Sequence, residues 1–221
     1  EITMAETVVL IHGLGRTPLS MRRLDVFLTR AGFRVVRYGY RSRSDDMATI
    51  VAGLQKQLGI WHARHDQPVF HFVTHSLGGI VVRALLARES EVRIGRIVML
   101  APPNHGSEII DFWRSKPWLR TFFGRVMGDV ALSLHTGADR LPNMLPQLAE
   151  RQVMVVAGAR SIEPWFHPLF DGSHDGKVSL SSARLNDIAP VVSLPTTHTF
   201  LMNDARVRRE LLGFLRDVKT V

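Results

Sequence analysis

Ser76 stands in Thr74-His75-Ser76-Leu77-Gly78-Gly79, between an apolar run and a helical pattern. A strand that turns sharply into a helix at this point lifts the serine hydroxyl above the sheet edge, and small neighbours let strand and helix approach. The usual spacing for such an elbow is Gly-x-Ser-x-Gly. Here Thr74 replaces the first glycine, so the packing must adjust to a larger, β-branched side chain. A serine hydroxyl is a weak nucleophile at neutral pH. It needs a base within hydrogen-bond reach and a carboxylate to orient that base. Among ten histidines, His198 is the candidate base, because Pro195-Thr196-Thr197-His198-Thr199-Phe200 follows the last strand pattern and precedes the last helical one. Asp175, Asp171 and Asp187 compete for the carboxylate. Asp175 is preferred because Gly176 lets its turn close tightly, and Asp171 is the runner-up.

Acyl transfer also needs donors for the oxygen that gains charge. The N–H of Leu77, next to Ser76 at a helix start, is one expected donor. The loop His12-Gly13-Leu14-Gly15 should supply the other through Leu14, with the glycines turning the backbone inward. A Gly-rich turn after a first strand also suits a dinucleotide. This one lacks the third glycine at the required spacing, and no acidic residue closes the second strand. The other histidines suit ordinary roles. His71 and His75 share no helix face, His62 and His65 sit on a solvated helix pattern, and His75 is expected to pack or hydrogen-bond. No metal site and no cofactor are expected.

These residues need a frame that brings them to one edge. Thr7–Ile11, Phe33–Tyr38, Val69–Val73, Arg96–Leu100, Gln152–Val156 and Val191–Leu194 are apolar, strand-like runs. Helical spacing fills Pro18–Ala31, Asp45 to about Ala63, Leu77–Arg88 and Asp204–Asp217. Alternation of this kind predicts an α/β fold: a mostly parallel sheet of about six strands with helices on both faces. One stretch breaks the alternation. The roughly 50 residues from Pro102 to Arg151 exceed a plain crossover. They carry Trp113, Trp118, Phe122 and Phe123, and from Trp118 the apolar residues recur four apart, as on one helix face. The expectation is an insertion over the carboxyl ends of the strands.

The 221 residues suffice for one domain, 1–221, with the insertion at about 103–150. The chain has no Cys, which excludes disulfides, Cys-based zinc sites and thiol catalysis. No apolar run reaches the ~18 residues of a membrane-spanning helix. Glu1-Ile2-Thr3-Met4 has no basic start and no apolar core. A cytoplasmic location is therefore expected, with secretion only if a leader was removed earlier. The net charge is +8, and only Lys56, Lys116, Lys177 and Lys219 of the 28 basic residues are not Arg. The arginines are dispersed, without the long block of a nucleic-acid-binding arm, so a solvated cationic surface is expected and no nucleic-acid partner. Oligomeric state has no sequence signal here.

In these segments the chain resembles the α/β-hydrolase superfamily, and within it the small bacterial lipases and esterases. The matching stretches are Val8 to Leu14, Thr74 to Gly79, Ala101-Pro102-Pro103-Asn104-His105-Gly106-Ser107, Asp175-Gly176-Lys177-Val178 and the surroundings of His198. The order Ser76, Asp175, His198 is that of the family's triads. The resemblance implies a three-layer α/β-hydrolase fold of minimal size, lacking two N-terminal strands. It also implies a cap over the site, formed by the insertion. Trp113, Trp118, Phe122 and Phe123 would line an acyl pocket or meet a lipid surface, and Pro164 to Phe170 would add a second apolar wall near Asp175. The implied activity is carboxylester hydrolysis on a small-molecule or lipid ester through an acyl-enzyme. A thioesterase or amidase would use the same triad. A nucleic-acid- or anion-binding protein on this scaffold would rest on the charge alone.

Overall fold

The computed structural model describes residues 6–65, 68–88, 92–138, 140–187 and 189–216. Glu1–Met4, read for a leader, and Asp217, expected at the end of the last helix, lie outside the described residues, as does Asp139 within the insertion.

Six strands, β1 (Thr7–Ile11), β2 (Arg34–Tyr38), β3 (Val69–His75), β4 (Arg93–Leu100), β5 (Val153–Gly158) and β6 (Val191–Leu194), form one sheet in the order β2-β1-β3-β4-β5-β6. Every pair is parallel. Side chains alternate between the two faces with period 2. Val9, Ile11, Phe70, Phe72, Ile97, Met99, Val153 and Val155 enter one core. Val8, Leu10, Val73, Val98, Leu100, Met154 and Val156 enter the other. Because both faces are covered, the strands read as unbroken apolar runs rather than as alternating ones.

Helices α1 (Arg22–Arg30), α2 (Met47–Ala63) and α3 (Leu77–Leu86) follow the first three strands. A short 3₁₀ turn, Pro18–Met21, precedes α1 and replaces the single helix expected over Pro18–Ala31. Asp46 caps α2 by accepting the Thr49 N–H at 2.7 Å. This satisfies one of the donors that a helix start leaves open, and it places the cap one residue after Asp45. Leu54 and Leu58 of α2, with Ile80, Val81 and Leu85 of α3, cover the first face. The last helix, running Ala205–Arg216, packs Val207, Leu211 and Leu215 on the second face beside Leu24 and Leu28 of α1.

Between β4 and β5 the chain forms α4 (Glu108–Arg114), α5 (Pro117–Met127), α6 (Asp129–Leu132) and α7 (Leu141–Met144). Arg83, almost wholly buried on α3, ties this segment down. Its guanidinium donates to the carbonyls of Asn104, Leu145 and Pro146 at 2.8–3.1 Å. Burial lowers its pKa to about 10. The short helix α8 (Leu180–Ala183) and two further 3₁₀ segments, Pro164–Leu169 and His198–Asn203, complete the element order, and the last helix is α9. Among the described residues, no helix is long and apolar enough to cross a membrane.

Candidate active site

The order of strands reverses at β1: the chain moves outward to β2, then returns to the opposite side of β1 with β3. The loops leaving β1 and β3 therefore part at their carboxyl ends and open a crevice between them. Ser76 sits at this point, one residue after β3. Its φ is 51° and its ψ −119°, a backbone region that costs a non-glycine residue ~1–3 kcal/mol. The surroundings hold it there. Its N–H donates to Leu100 O at 2.8 Å, and its carbonyl accepts the Gly79 N–H at 3.0 Å. The turn also needs close approach. A Cβ on Gly13 would lie 2.8 Å from His75 Nδ1, and one on Gly78 would lie 2.6 Å from the Ile11 carbonyl oxygen. Thr74 is accommodated where glycine is usual: even a Cβ on Gly79 would stand at an ordinary van der Waals distance, 3.5 Å, from its Oγ1.

Gly78→Ala should therefore push α3 away from β1. The expected result is a loss of about 2 kcal/mol, the usual cost of overpacking, seen as a fall of about 4–8 °C in melting midpoint for a chain of this size. An unchanged midpoint would show that elbow and first loop are not in contact.

His198 lies after β6, and its Nδ1 is 2.8 Å from Asp175 Oδ2. The second oxygen, Oδ1, accepts the N–H groups of Lys177 and Val178, both at 2.9 Å. The backbone closes the same pair, with His198 N–H donating to Asp175 O at 3.1 Å. Asp175 is buried, whereas its competitors Asp171 and Asp187 are exposed. With Nδ1 engaged, Nε2 is the ring nitrogen left for another partner. Ser76 and His198 line one cavity of about 360 Å³.

Of the two expected donors, Leu77 opens α3 next to Ser76, which lines this cavity, and Leu14 is among the residues lining it, from the first loop. That loop is held by bonds that spare the Leu14 N–H: Arg16 N–H donates to Gly13 O at 3.3 Å, and Gly15 N–H to Ser42 Oγ at 2.8 Å. Tyr40 supports it from below, donating its hydroxyl to His12 O at 2.6 Å while its ring stacks on that of His12 at 4.3 Å. Ser42 and Tyr40 carried no sequence signal, since their role depends on β2 lying beside β1. His75 packs as expected: Nε2–H donates to the His198 carbonyl at 2.9 Å.

The apolar wall differs in part from expectation. Trp113 and Phe123 line the cavity with Ile109, Ile110, Met127 and Leu134. Trp118 and Phe122 do not: they are 67% and 58% exposed. They fall one helical step from the buried stripe Leu119 and Phe123, so the same apolar repeat has one buried and one outward edge. Pro164 to Phe170 also stays outside the cavity. Its Phe166 packs edge-on against Phe112 of α4, with ring centroids 6.0 Å apart, and so braces the insertion from behind.

Burial lowers the pKa of His12, and that of His75 falls further through burial and the adjoining charge of His198. Burial also lowers His71. Each is held neutral in the folded state, so the unfolded chain binds protons first as pH falls. Stability should be level above about pH 7. It should decline as pH drops below about 6.5, with a limiting slope of ~1.4 kcal/mol per pH unit for each group. Urea midpoints at pH 8, 7, 6 and 5 test this, and no change between pH 7 and 5 would refute it.

A profile of the alpha/beta hydrolase family matches residues 8–217. No curated protein matches the chain by sequence. Similar solved structures include the mature lipase BlEst2 of Bacillus licheniformis, with 20% identity, a TM-score of 0.72 and coverage of 97% of this chain and 91% of that one. A metagenomic carboxyl esterase shares 20% identity at a TM-score of 0.68, with 90% and 66% covered. A carboxylesterase structure from the thaumarchaeon Nitrososphaera gargenis shares 15% identity at a TM-score of 0.65, with 96% and 90% covered. At these identities the likeness is one of fold.

Proposed function

Because this chain belongs to the alpha/beta hydrolase family, we propose that it is a serine carboxylester hydrolase of the esterase or lipase type, with Ser76, His198 and Asp175 as its catalytic triad. The observation that carries this proposal is the buried Asp175–His198 pair at 2.8 Å, whose histidine lines the same cavity as a serine on a strained elbow.

His198 Nε2 takes the Ser76 proton as Oγ attacks the ester carbonyl carbon. The carbonyl π electrons move onto oxygen, where the N–H groups of Leu77 and Leu14 receive the charge. Each such donor is worth ~3–4 kcal/mol in the transition state. Collapse breaks the bond to the leaving oxygen, and His198 gives that oxygen its proton. Water, deprotonated by His198, then attacks the acyl-enzyme, and the acid leaves. Asp175 fixes the tautomer and offsets the imidazolium charge. Its two backbone donors keep it oriented.

In this proposal residues 103–150 form the cap, and the acyl chain lies among Trp113, Phe123, Ile109 and Ile110. The outward edge of α5, made by Trp118, Phe122 and Val126, is suited to transient contact with a lipid surface. The cavity volume of about 360 Å³ lies at the small end for ligand sites, which favours chains of roughly four to eight carbons over sixteen. Hydrolysis of p-nitrophenyl esters from two to sixteen carbons is the test. Activity peaking in that middle range is expected. No turnover of any ester by folded protein would overturn the proposal.

A further inference from the structure

The catalytic cavity has two unlike sides. Toward the insertion it is apolar, and on the side of the first loop stands Arg16. Arg16 also lines two surface clefts. One, of about 510 Å³, is walled by Arg22 and Arg23 together with Phe200, Met202 and Asn203. The second, of about 360 Å³, is walled by Arg41 and Arg43. Arg43 reaches the first loop: a Cβ on Gly15 would be 3.4 Å from its Nη2.

Three cations elsewhere are ion-paired, Arg37 with Asp25, Lys177 with Glu163 and Arg206 with Asp204. Among the described residues, none of the five arginines at the clefts has an ion-pair partner; the acid beside them, Asp45, accepts the backbone N–H of Arg41. Like charges gathered on concave walls raise the local potential and await a counter-charge. Arginine supplies planar, charge-assisted donors suited to phosphate.

The chemistry decides which part of a substrate meets them. The acyl group needs the apolar side. The leaving group must lie near His198, which protonates it. Phe200, Met202 and Asn203 belong to the same 3₁₀ segment as His198, His198–Asn203, and they line the cleft of Arg16, Arg22 and Arg23. The cleft is thus the continuation of the leaving-group side.

We propose that this cleft receives a phosphate carried on the leaving alcohol or thiol, so that the substrate is an apolar acyl ester or thioester of a phosphate-bearing group. This rests on the hydrolase function proposed above. Arg16 would hold the phosphate near the cavity, with Arg22 and Arg23 beyond it.

Two matched pairs test the inference and separate its sources: 1-octanoylglycerol against 1-octanoylglycerol 3-phosphate, and the octanoyl thioester of N-acetylcysteamine against that of coenzyme A. The ratio of kcat/KM, phosphorylated over neutral, is measured for wild type, Arg16→Gln and the double variant Arg22→Gln/Arg23→Gln. A wild-type ratio of about ten or more is expected in at least one pair, the scale of one or two charge-assisted hydrogen bonds. It should fall toward one in both variants and decline in wild type between 20 and 500 mM salt. Preference in the glycerol pair assigns a lipid-type leaving group, and preference in the thioester pair a nucleotide-type one. A ratio near one in both pairs, or a ratio that survives both variants, overturns the inference while turnover of the neutral esters leaves the hydrolase function standing. Loss of all turnover in wild type would instead remove the hydrolase function itself.

Discussion

Ser76→Ala is expected to lower kcat for p-nitrophenyl butyrate by about 10⁴-fold or more, the scale set by removal of a serine nucleophile. The substitution removes one oxygen and leaves the elbow. What holds Ser76 at its φ of 51° is backbone: the bond from its N–H to Leu100 O, the bond from Gly79 N–H to its carbonyl, and the close packing of Gly13 and Gly78. Alanine accepts the same backbone with the same strain. The melting midpoint should therefore move by less than about 2 °C, the surface-mutation range for a chain of this size. Substrate affinity should be nearly unchanged, because the apolar wall and both backbone donors remain. A burst of p-nitrophenol in wild type, absent in the variant, would report the acyl-enzyme directly. Turnover retained within tenfold would mean that another group attacks the ester.

Asp175→Asn carries the second largest expected effect, a fall in kcat of about 10⁴-fold near neutral pH. The amide preserves volume but exchanges an acceptor for a donor. Oδ1 accepts from two backbone N–H groups and Oδ2 faces His198 Nδ1. The asparagine carbonyl must stay on the two N–H groups, so its NH₂ turns toward the ring. His198 Nδ1 then has to accept, and its proton moves to Nε2, where the base should be free. The wrong tautomer, and no carboxylate to offset the imidazolium, explain the loss. Its pH dependence separates this effect from misfolding. Activity of the variant should recover partly at high pH, where hydroxide replaces the general base, while wild type levels off. Activity within a few-fold of wild type at pH 7 would move the orienting role to another acid.

How much of this was legible in advance depends on how local each signal is. The six strands and the parallel sheet could be read from apolar runs, since a strand covered on both faces has to be apolar throughout. The elbow was legible because its demands fall on consecutive residues: Ser76 with Gly78 and Gly79 beside it, directly after β3. The choice of Asp175 over Asp171 and Asp187 followed from Gly176, and in the structure it is Asp175 that is buried against His198.

Side-chain direction was not legible. Trp118 and Phe123 belong to one helical repeat, yet only the second reaches the cavity, because Phe123 falls with Leu119 on the buried edge of α5 and Trp118 with Phe122 on the outward one. The apolar stretch Pro164 to Phe170 was equally ambiguous, and it braces α4 through Phe166.

The sequence by itself determined the alternation of strands and helices, the elbow, and the order of serine, acid and histidine, because each is written in neighbouring residues or in chain order. Only the tertiary structure decided the rest. It brought Ser42 and Tyr40 under the first loop, placed Arg83 beneath the insertion, and gathered Arg16, Arg22 and Arg23 beside the segment that carries His198. Those contacts join residues far apart in the chain. They arise from the parallel crossovers that return each strand to the same edge, and no local pattern encodes which side chains will meet there.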